Sequence, residues 1–215
     1  MKPYVKNNLT QEVCRAEVRR LCESDADALV RVQERAAGTL RDASLYVMSE
    51  REDFLRIMKN GEISALFANG ELCGAAGLRF PGDEEYPESA ALDFIFVLPE
   101  YRKNGIGREL IRISVRRAFE RFGAGCVVAT VSPKNIPSLL SFMSINGFRI
   151  SALRQKYGCK LRYILTCEKN SKKLYTVYER FEISDIYGIS KMLAAGYEGI
   201  AVFRDERKIY IWLAK

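Results

Sequence analysis

The sequence contains no histidine. Histidine is the usual base beside a serine or cysteine nucleophile, so catalytic pairs of that kind are excluded. Any acid–base chemistry has to come from carboxylates, tyrosine, cysteine, lysine or water. The six cysteines include no Cys-x-x-Cys pair. We therefore expect neither a metal site nor a disulfide framework.

Long apolar segments are missing as well. No apolar run approaches the roughly 20 residues that span a bilayer, and residues 1–17 lack the apolar centre of a secretory signal. We therefore expect a cytoplasmic protein with no membrane partner. The formal net charge of +7 is compatible with an anionic cofactor, a nucleic-acid partner or a well-solvated surface. The basic residues are spread along the chain, which argues against nucleic acid.

Hydrophobic periodicity predicts an α/β (α+β) fold with a mixed sheet. For residues 17–168 the predicted order is β-α-α-β-β-β-α-β-α-β-β, which indicates a sheet with helices on both faces rather than a doubly wound repeat. Asn69-Gly70 is typical of a two-residue hairpin turn. Gly61 stands where the second helix is predicted to end, and we expect a left-handed cap there.

Two further segments flank the predicted main domain, residues 17–168. Residues 1–16 form a polar N-terminal lead, and the polar, basic stretch 168–173 marks a linker. Residues 169–215 are predicted to form a small β-α-β-β extension. Because about 45 residues are too few to bury their aromatic side chains alone, we expect the extension to dock on the main domain or on a second subunit. The second alternative would make the protein a homodimer.

The stretch YRKNGIGREL, residues 101–110, joins a predicted strand to a predicted helix. A helix that begins there leaves backbone N–H groups without partners at the positive end of the helix dipole. Gly105 and Gly107 allow a ligand to approach the backbone closely, and Arg102 and Lys103 add positive charge. The loop therefore predicts an anion site suited to phosphate. It completes neither the Gly-x-x-x-x-Gly-Lys-Ser/Thr phosphate loop nor the Gly-x-Gly-x-x-Gly dinucleotide fingerprint.

Residues 102–107, Arg-Lys-Asn-Gly-Ile-Gly, match the Arg/Gln-x-x-Gly-x-Gly/Ala signature of the GNAT N-acetyltransferases, and the chain resembles that family over residues 17–168. The preceding VLPEYR, the element order and the later segment SPKNIPSLLSFMSINGF are similar to the acetyl-CoA-binding half of the family. The resemblance implies a GNAT-like acyl-CoA N-acyltransferase fold. It also implies an N-acetyltransferase that transfers an acetyl group from acetyl-CoA to a primary amine of a small molecule or protein.

The resemblance further implies which residues hold the cofactor. The loop amides would hold the pyrophosphate of coenzyme A, and the preceding strand would pair with the pantetheine arm. A bulge within Asp93–Val97 would separate two strands to admit this arm. Asn135 matches an asparagine that bonds to the pantetheine region, and it is equally a candidate helix N-cap. The implied cofactor-binding residues are Phe96, Val97, Leu98, Arg102, Lys103, Asn104, Gly105, Ile106, Gly107, Arg108, Asn135 and Ser138.

Acetyl transfer needs a neutral amine, a hydrogen-bond donor to the developing oxyanion and a thiolate that can leave. We predict Asp93 as the base, because it lies in an otherwise apolar strand on the same face as Ile95 and Val97. The alternative for Asp93 is a strand-end aspartate in water. The backbone N–H of Val97 is the predicted oxyanion donor.

The group that would protonate the leaving sulfur departs from the family pattern. Many GNAT enzymes have a tyrosine seven residues after the capping asparagine, and that position is Phe142 in this sequence. Tyr157, Ser141 or Cys159 would have to provide the proton instead, and Tyr157 is included among the predicted catalytic residues. The pKa of a thiol is about 8.5, so a thiolate can also leave without an acid.

Two loops, residues 38–53 and 154–160, are predicted to form the acceptor site. In the first loop, acidic side chains would attract an ammonium group and one aromatic side chain would pack against its carbon chain: Asp42, Glu50, Glu52 and Tyr46. A solvated charged loop is the alternative interpretation.

Two other functions are open alternatives. One is an acyl-CoA-binding module with weak or no catalysis that acts through a partner surface, suggested by Phe142 and the C-terminal extension. The other is nucleic-acid binding through an arginine stripe on the helix after the loop, for which a solvated helix face is the simpler explanation. The stripe consists of Arg108, Arg112, Arg116, Arg117 and Arg121.

Overall fold

The structure is a computed structural model and describes residues 4–40, 42–82 and 86–215. Residues 1–3 of the predicted N-terminal lead and Arg41 of the predicted acceptor loop lie outside the described residues. The chain divides into two compact units, Met1–Ala124 and Gly125–Lys215, which we call the first unit and the second unit.

The first unit contains an antiparallel sheet in which the strands lie in sequence order. The strands are β1 (Tyr4–Lys6), β2 (Val13–Arg20), β3 (Gly61–Ala68), β4 (Glu71–Arg79) and β5 (Ser89–Val97). The helices of this unit are α1 (Ala26–Ala37), α2 (Arg51–Asn60) and α3 (Ile106–Glu120), with short 3-10 turns at Glu23–Asp25, Ala43–Leu45 and Pro99–Tyr101.

Helices cover both faces of this sheet, as predicted. In β3 and in β4 six consecutive residues are buried, and successive strand residues point to opposite faces. On one face Phe54 of α2 packs edge-on against Phe94, with ring centroids 5.1 Å apart. Phe94 pairs with Gly77 of β4. On the other face Ile106 of α3 lies beside Gly74, three residues earlier in the same strand.

The prediction that Gly61 forms a left-handed helix cap is wrong. Its φ is −179°, an extended value that any residue adopts, and Gly61 is the first residue of β3. A Cβ at this position would lie 2.0 Å from the carbonyl oxygen of Leu78. Glycine is therefore required by the close approach of β4, and α2 runs directly into β3.

The second unit contains an antiparallel sheet in the order β6-β8-β7-β10-β11-β9. Its strands are β6 (Cys126–Val131), β7 (Phe148–Lys156), β8 (Lys160–Glu168), β9 (Tyr178–Glu182), β10 (Glu198–Asp205) and β11 (Lys208–Ala214). Its helices are α4 (Ile136–Met143) and α5 (Ile186–Ala194). None of the helices in the described part of the chain is long and apolar enough to cross a membrane.

The predicted C-terminal extension shares this sheet. Gly199 of β10 pairs with the fully buried Ile150 of β7. The segment before β9 is also tied down: the Lys173 Nζ lies 2.7 Å from a carboxylate oxygen of Glu198, and the Tyr175 hydroxyl donates to the other oxygen at 2.8 Å. The boundaries predicted after residues 16 and 168 stay a prediction. The division into two compact units falls elsewhere in the sequence, after residue 124.

The predicted element order is confirmed from β2 through β8, and so is the β-α-β-β order of residues 169–215. Asn69 and Gly70 have positive φ and join β3 to β4 as predicted. The structure adds β1, which lies in the predicted polar lead and pairs with residues 13–15 of β2. The fold belongs to the predicted α/β class.

Gly199 offers a test of how residues 169–215 pack. A Cβ at Gly199 would lie 2.8 Å from the Ile150 Cβ and 2.9 Å from the Ile211 Cδ1. We expect Gly199→Ala to lower the free energy of unfolding by about 1–3 kcal/mol, because overpacking displaces buried side chains. Gly125→Ala is the matched control, since a Cβ there would contact no described residue within 4 Å. Equal urea midpoints for the two variants would contradict the packing of β10 on β7.

Candidate functional site

The loop between β5 and α3 has an unusual backbone. After β5 ends, Pro99–Tyr101 form a 3-10 turn, and the amide of Arg102 donates to the Pro99 carbonyl at 3.2 Å. Lys103 has a φ of 64° and Gly105 a φ of 81°. Alternation of this kind turns successive N–H groups toward one side of the loop, a geometry that suits an anion. Of these two residues, only Gly105 adopts a left-handed backbone without steric strain, because it has no Cβ.

The first turn of α3 exposes its amides. Gly105 is the N-cap and has no side chain to cap the helix, and the first bond within the helix runs from the Glu109 amide to the Gly105 carbonyl at 3.0 Å. The amides of Ile106, Gly107 and Arg108 therefore have no acceptor inside the helix. The dipole of the helix places partial positive charge at this end.

Gly107 is not required by the protein itself. It lies in the first turn of α3 with ordinary backbone angles, and a Cβ at this position would meet no atom of the described residues within 4 Å. Neither backbone strain nor packing therefore explains glycine at position 107. A ligand that approaches the helix N-terminus at backbone distance does explain it.

Arg102 turns inward. Its Nε donates to the Val97 carbonyl at 3.1 Å, and its Nη2 donates to the Ala36 carbonyl at 2.9 Å. Burial lowers the pKa of the Arg102 guanidinium, and the neighbouring Glu100 opposes that effect. Arg102 thus holds the loop to the end of α1, while Lys103 and Arg108 are exposed cations of the loop.

Asn104 ties the loop to β1. Its Nδ2 donates to the Lys6 carbonyl at 2.8 Å and to the Tyr101 carbonyl at 3.1 Å, and its Oδ1 accepts from the Lys6 amide at 3.1 Å. Asn8 adds a bond from its Nδ2 to the Arg102 carbonyl at 2.8 Å. The N-terminal residues that sequence reasoning treated as a lead therefore hold the predicted phosphate loop in place.

Val97 presents its backbone to the edge of β5 opposite β4. The Leu98 amide donates to the Cys73 carbonyl at 2.9 Å, which makes Leu98 and Cys73 a hydrogen-bonded pair of the antiparallel ladder. The next pair, Val97 and Gly74, is then a non-hydrogen-bonded pair, because the two kinds alternate. The Val97 N–H consequently points away from β4, whereas those of Phe96 and Leu98 point toward it.

A bulge lies at Asp93, at the start of the predicted range. Gly77 pairs with Phe94 and Leu78 pairs with Leu92, so Asp93 is the extra residue of β5. The side chain of Asp93 is held by Arg79: Nε to Oδ2 is 2.9 Å and Nη2 to Oδ1 is 3.2 Å. The Nη1 of Arg79 also donates to the carbonyls of Pro81 and Gly82. Sequence reasoning did not identify this ion pair.

In the second unit, Asn135 is the N-cap of α4. Its Oδ1 accepts from the Ser138 amide at 3.2 Å, which confirms the capping alternative and leaves the pantetheine contacts of Asn135 and Ser138 as predictions. Phe142 is buried against Phe148, with ring centroids 5.1 Å apart at 82°. Phe142 therefore belongs to the core and has no group that could protonate a thiolate.

The three alternative proton donors differ in their surroundings. The Tyr157 hydroxyl is 3.0 Å from the Thr130 Oγ1, and the Arg162 guanidinium lies 5.9 Å from the Tyr157 ring centroid. Tyr157 has a positive φ of 53°. The Ser141 hydroxyl donates to the Pro137 carbonyl at 2.8 Å, and Cys159 is exposed. The role of Tyr157 stays a prediction.

The predicted acceptor loop is organised by Gln33, which sequence reasoning missed. Gln33 is fully buried in α1; its Nε2 donates to the Ser49 carbonyl at 2.8 Å, and its Oε1 accepts from the Tyr46 hydroxyl at 3.1 Å. Burial raises the pKa of the Tyr46 phenol, which remains a hydrogen-bond donor. A glutamine on the otherwise apolar side of α1 is the sequence signal that could have pointed to this network.

The acidic residues of the same loop make local contacts. The Asp42 Oδ1 accepts from the Ser44 amide at 2.8 Å, Glu50 is the N-cap of α2, and Glu52 lies exposed in the first turn of that helix. Their predicted attraction for an ammonium group stays a prediction. Among the described residues, no three His, Cys, Asp or Glu side chains are placed to hold a metal ion.

Comparison with known proteins identifies similar chains. Residues 28–148 match the Acetyltransferase (GNAT) family. A structure of yncA from Salmonella typhimurium with its cofactor acetyl-CoA has a TM-score of 0.59 and 18% identity, over 76% of this chain and 99% of that chain.

Two further structures are similar. The ribosomal-protein-S18-alanine N-acetyltransferase from Escherichia coli has a TM-score of 0.56 and 20% identity, over 75% of this chain and 99% of that chain. The PaiA N-acetyltransferase from Thermoplasma acidophilum, in complex with coenzyme A, has a TM-score of 0.53 and 22% identity, over 71% and 98%. No match was found among curated proteins.

The contacts of Asn104 predict that it stabilises the loop. In Asn104→Asp a carboxylate oxygen would face the carbonyls of Lys6, Tyr101 and Arg102, and the bonds that Nδ2 donates to them would be lost. We expect the free energy of unfolding to fall by about 1–3 kcal/mol. Asn170→Asp makes the same charge change at an exposed turn and should have little effect. If both variants unfold at the same urea concentration, Asn104 does not hold the loop.

Proposed function

Because the chain belongs to the GNAT acetyltransferase family, we propose that it transfers an acetyl group from acetyl-CoA to a primary amine of a small molecule or protein. The observation that carries the proposal is the N-terminus of α3, where the amides of Ile106, Gly107 and Arg108 have no helical acceptor and Gly107 leaves room for a ligand. The acetyl-CoA held by yncA and the coenzyme A held by PaiA support this choice of ligand.

The pyrophosphate of coenzyme A fits this end of α3. Several amides converge there beside the exposed Lys103 and Arg108, and a helix N-terminus favours negative charge. Arg102 contributes through structure, since its side chain donates to protein carbonyls. Phosphate binding by this loop would therefore depend mainly on hydrogen bonds from backbone amides, with a smaller contribution from the charges of the two exposed cations.

The pantetheine arm would bond to the side of β5 opposite β4, at Val97. Of the three strand residues implied by the resemblance, Val97 is the one whose N–H points away from β4, because the Leu98 amide bonds to Cys73. The same Val97 N–H would donate to the oxygen of the thioester as negative charge develops on it. Phe96 and Leu98 would lie on either side of this contact, with their own N–H groups directed toward β4.

Asp93 would act on the amine through water. It lies four residues before Val97 on the same face, and at about 3.3 Å per residue this is roughly 13 Å along the strand. At this separation we expect the carboxylate to reach the amine through water. A chain of water molecules along this face would carry the proton to the carboxylate, which pairs with Arg79.

A second function, an acyl-CoA-binding module with little catalysis, is favoured by Phe142. Its ring packs in the core against Phe148, so the family's usual proton donor has no replacement at that position. Tight coenzyme A binding without any acetylated product would support this second function.

The proposed function is tested by an acceptor screen. The purified chain is incubated with acetyl-CoA and a panel of polyamines, amino acids and peptides with free N-termini, and products are detected by mass spectrometry and thiol release. We expect one class of amine to gain an acetyl group at a rate above the hydrolysis background. Absence of coenzyme A binding by calorimetry, together with no product, would refute both candidate functions.

Gly107 gives the sharpest test of the cofactor site. We expect Gly107→Val to weaken coenzyme A binding by about tenfold or more, because the added side chain keeps the pyrophosphate from the amides that would donate to it. The protein should still fold, since no described residue lies near the new Cβ. Gly105→Val is a poorer test because the φ of 81° strains any side chain there. Gly125→Val is the control and should bind as wild type; calorimetric affinity unchanged by Gly107→Val would remove the anion site.

The proposed base predicts a pH dependence. Asp93→Asn removes the carboxylate and should lower kcat/KM most at low pH, where a neutral amine is scarce and help in forming it matters most. Arg56→Gln, which removes an exposed arginine of α2, should leave the profile unchanged. A wild-type-like profile in Asp93→Asn would assign Asp93 to structure alone.

A further inference from the structure

We propose that a cavity between β2, β3 and α3 binds a small multivalent oxyanion, such as phosphate or a polycarboxylate, at a site separate from the N-terminus of α3. The cavity has a volume of about 270 Å³ and is lined by four arginines and two glutamates, a formal charge of +2. Nothing in the proposed acetyl transfer uses it.

The strand register builds the cavity wall. Arg20 of β2 pairs with Ser64 of β3, so the two side chains share a face with Glu62, two residues before Ser64. The same face meets α3, because Arg117 of that helix lies against Glu62. β1 pairs only with residues 13–15 of β2, so in the described chain the outer edge of β2 near Arg20 has no strand beside it. The cavity can therefore be reached from the sheet edge.

Glu62 is a buried carboxylate that lines the cavity. It is 2% exposed, and a buried charge needs partners. The Arg121 Nη1 donates to Oε2 at 2.7 Å, the Ser64 hydroxyl donates to Oε1 at 3.1 Å, and the Arg117 Nε lies 3.5 Å from Oε1. Both oxygens of Glu62 have partners, and Arg117 and Arg121 share its single negative charge.

Of the other cations that line the cavity, Arg19 pairs with Asp25. Glu109, which also lines the cavity, pairs with Arg112. Arg20 and Arg116, one on the strand wall and one on the helix wall, line the cavity and make no side-chain hydrogen bond or ion pair with any described residue. Two guanidinium groups beside a partly enclosed cavity concentrate positive potential. Their planar forks match the oxygens of phosphate and carboxylate groups.

This site differs from the proposed cofactor site in its geometry. The free amides of α3 point out of the end of the helix, whereas the cavity lies along its side, next to Ile113 and Arg116. Bound anions would therefore compete neither for the same donors nor for the same space. The two sites can be separated by substitution.

The test measures phosphate binding to the full chain by calorimetry and by thermal unfolding, with sodium chloride at matched ionic strength as the reference. We expect phosphate to raise the unfolding temperature of the wild type, and Arg20→Gln and Arg116→Gln each to weaken phosphate binding by about tenfold or more, since bonds to charged groups are lost. Arg31→Gln is the charge-matched control, because Arg31 is an exposed residue of α1 with no side-chain partner in the described chain. It should bind as wild type.

Two further arms separate the alternatives. Gly107→Val, which blocks the proposed cofactor site, should retain the phosphate effect, so failure of acetyl transfer would leave this test intact. Citrate in place of phosphate reports whether carboxylates are accepted, and binding of either anion that depends on Arg20 and Arg116 supports the proposal. Absence of any stabilisation beyond that of chloride, or stabilisation kept in both arginine variants, would overturn it.

Discussion

The first turn of α3 leaves its amides without acceptors inside the helix, and side chains from other elements of the first unit hold the loop before it. A loop that leaves its own donors unused cannot be held by them, so other groups have to fix it. Arg102 ties it to the carbonyls of Val97 and Ala36, and Asn104 ties it to the backbone of Lys6. The Arg102 side chain, whose charge appeared suited to a phosphate, thus serves the loop, and the loop in turn positions the amides.

Local patterns predicted the elements well because each element carries its own signal. The period of apolar residues distinguishes α3 from β5, and Asn69-Gly70 marks a hairpin through backbone angles that few other residues accept. β1 was missed because it has three residues and depends on partners far away in sequence, including Asn104. Gly61 was misread for a related reason. Its role comes from the close approach of Leu78, a tertiary contact that resembles a helix cap only when the sequence is read locally.

The candidate site was predictable where backbone geometry carries it and unpredictable where charges pair. The glycines at 105 and 107 point to an anion site on sequence alone. The pairing of Asp93 with Arg79 and of Glu62 with Arg117 and Arg121 could not be read from spacing, because it depends on which strands and helices face each other. These pairs also divide the arginine stripe of α3. Two of its members lie against a buried carboxylate, a pairing that the helical spacing of the stripe does not reveal.

In the proposed acetyl transfer, the buried Phe142 cannot protonate the leaving thiolate, so the backbone N–H of Val97 would carry more of the catalysis. Stabilising an oxyanion requires a donor that is fixed before the reaction begins, and the Val97 N–H meets this condition because the ladder of β4 and β5 orients it away from its neighbour. Departure of the thiolate depends less on a proton donor. The pKa of a thiol is about 8.5, so it leaves as an anion more readily than an alcohol would. A fold that fixes one N–H through strand register can therefore support acetyl transfer with few dedicated side chains. The proposed reaction also needs a neutral amine, with Asp93 as the proposed base, and the acceptor's own pKa would therefore affect which amines react.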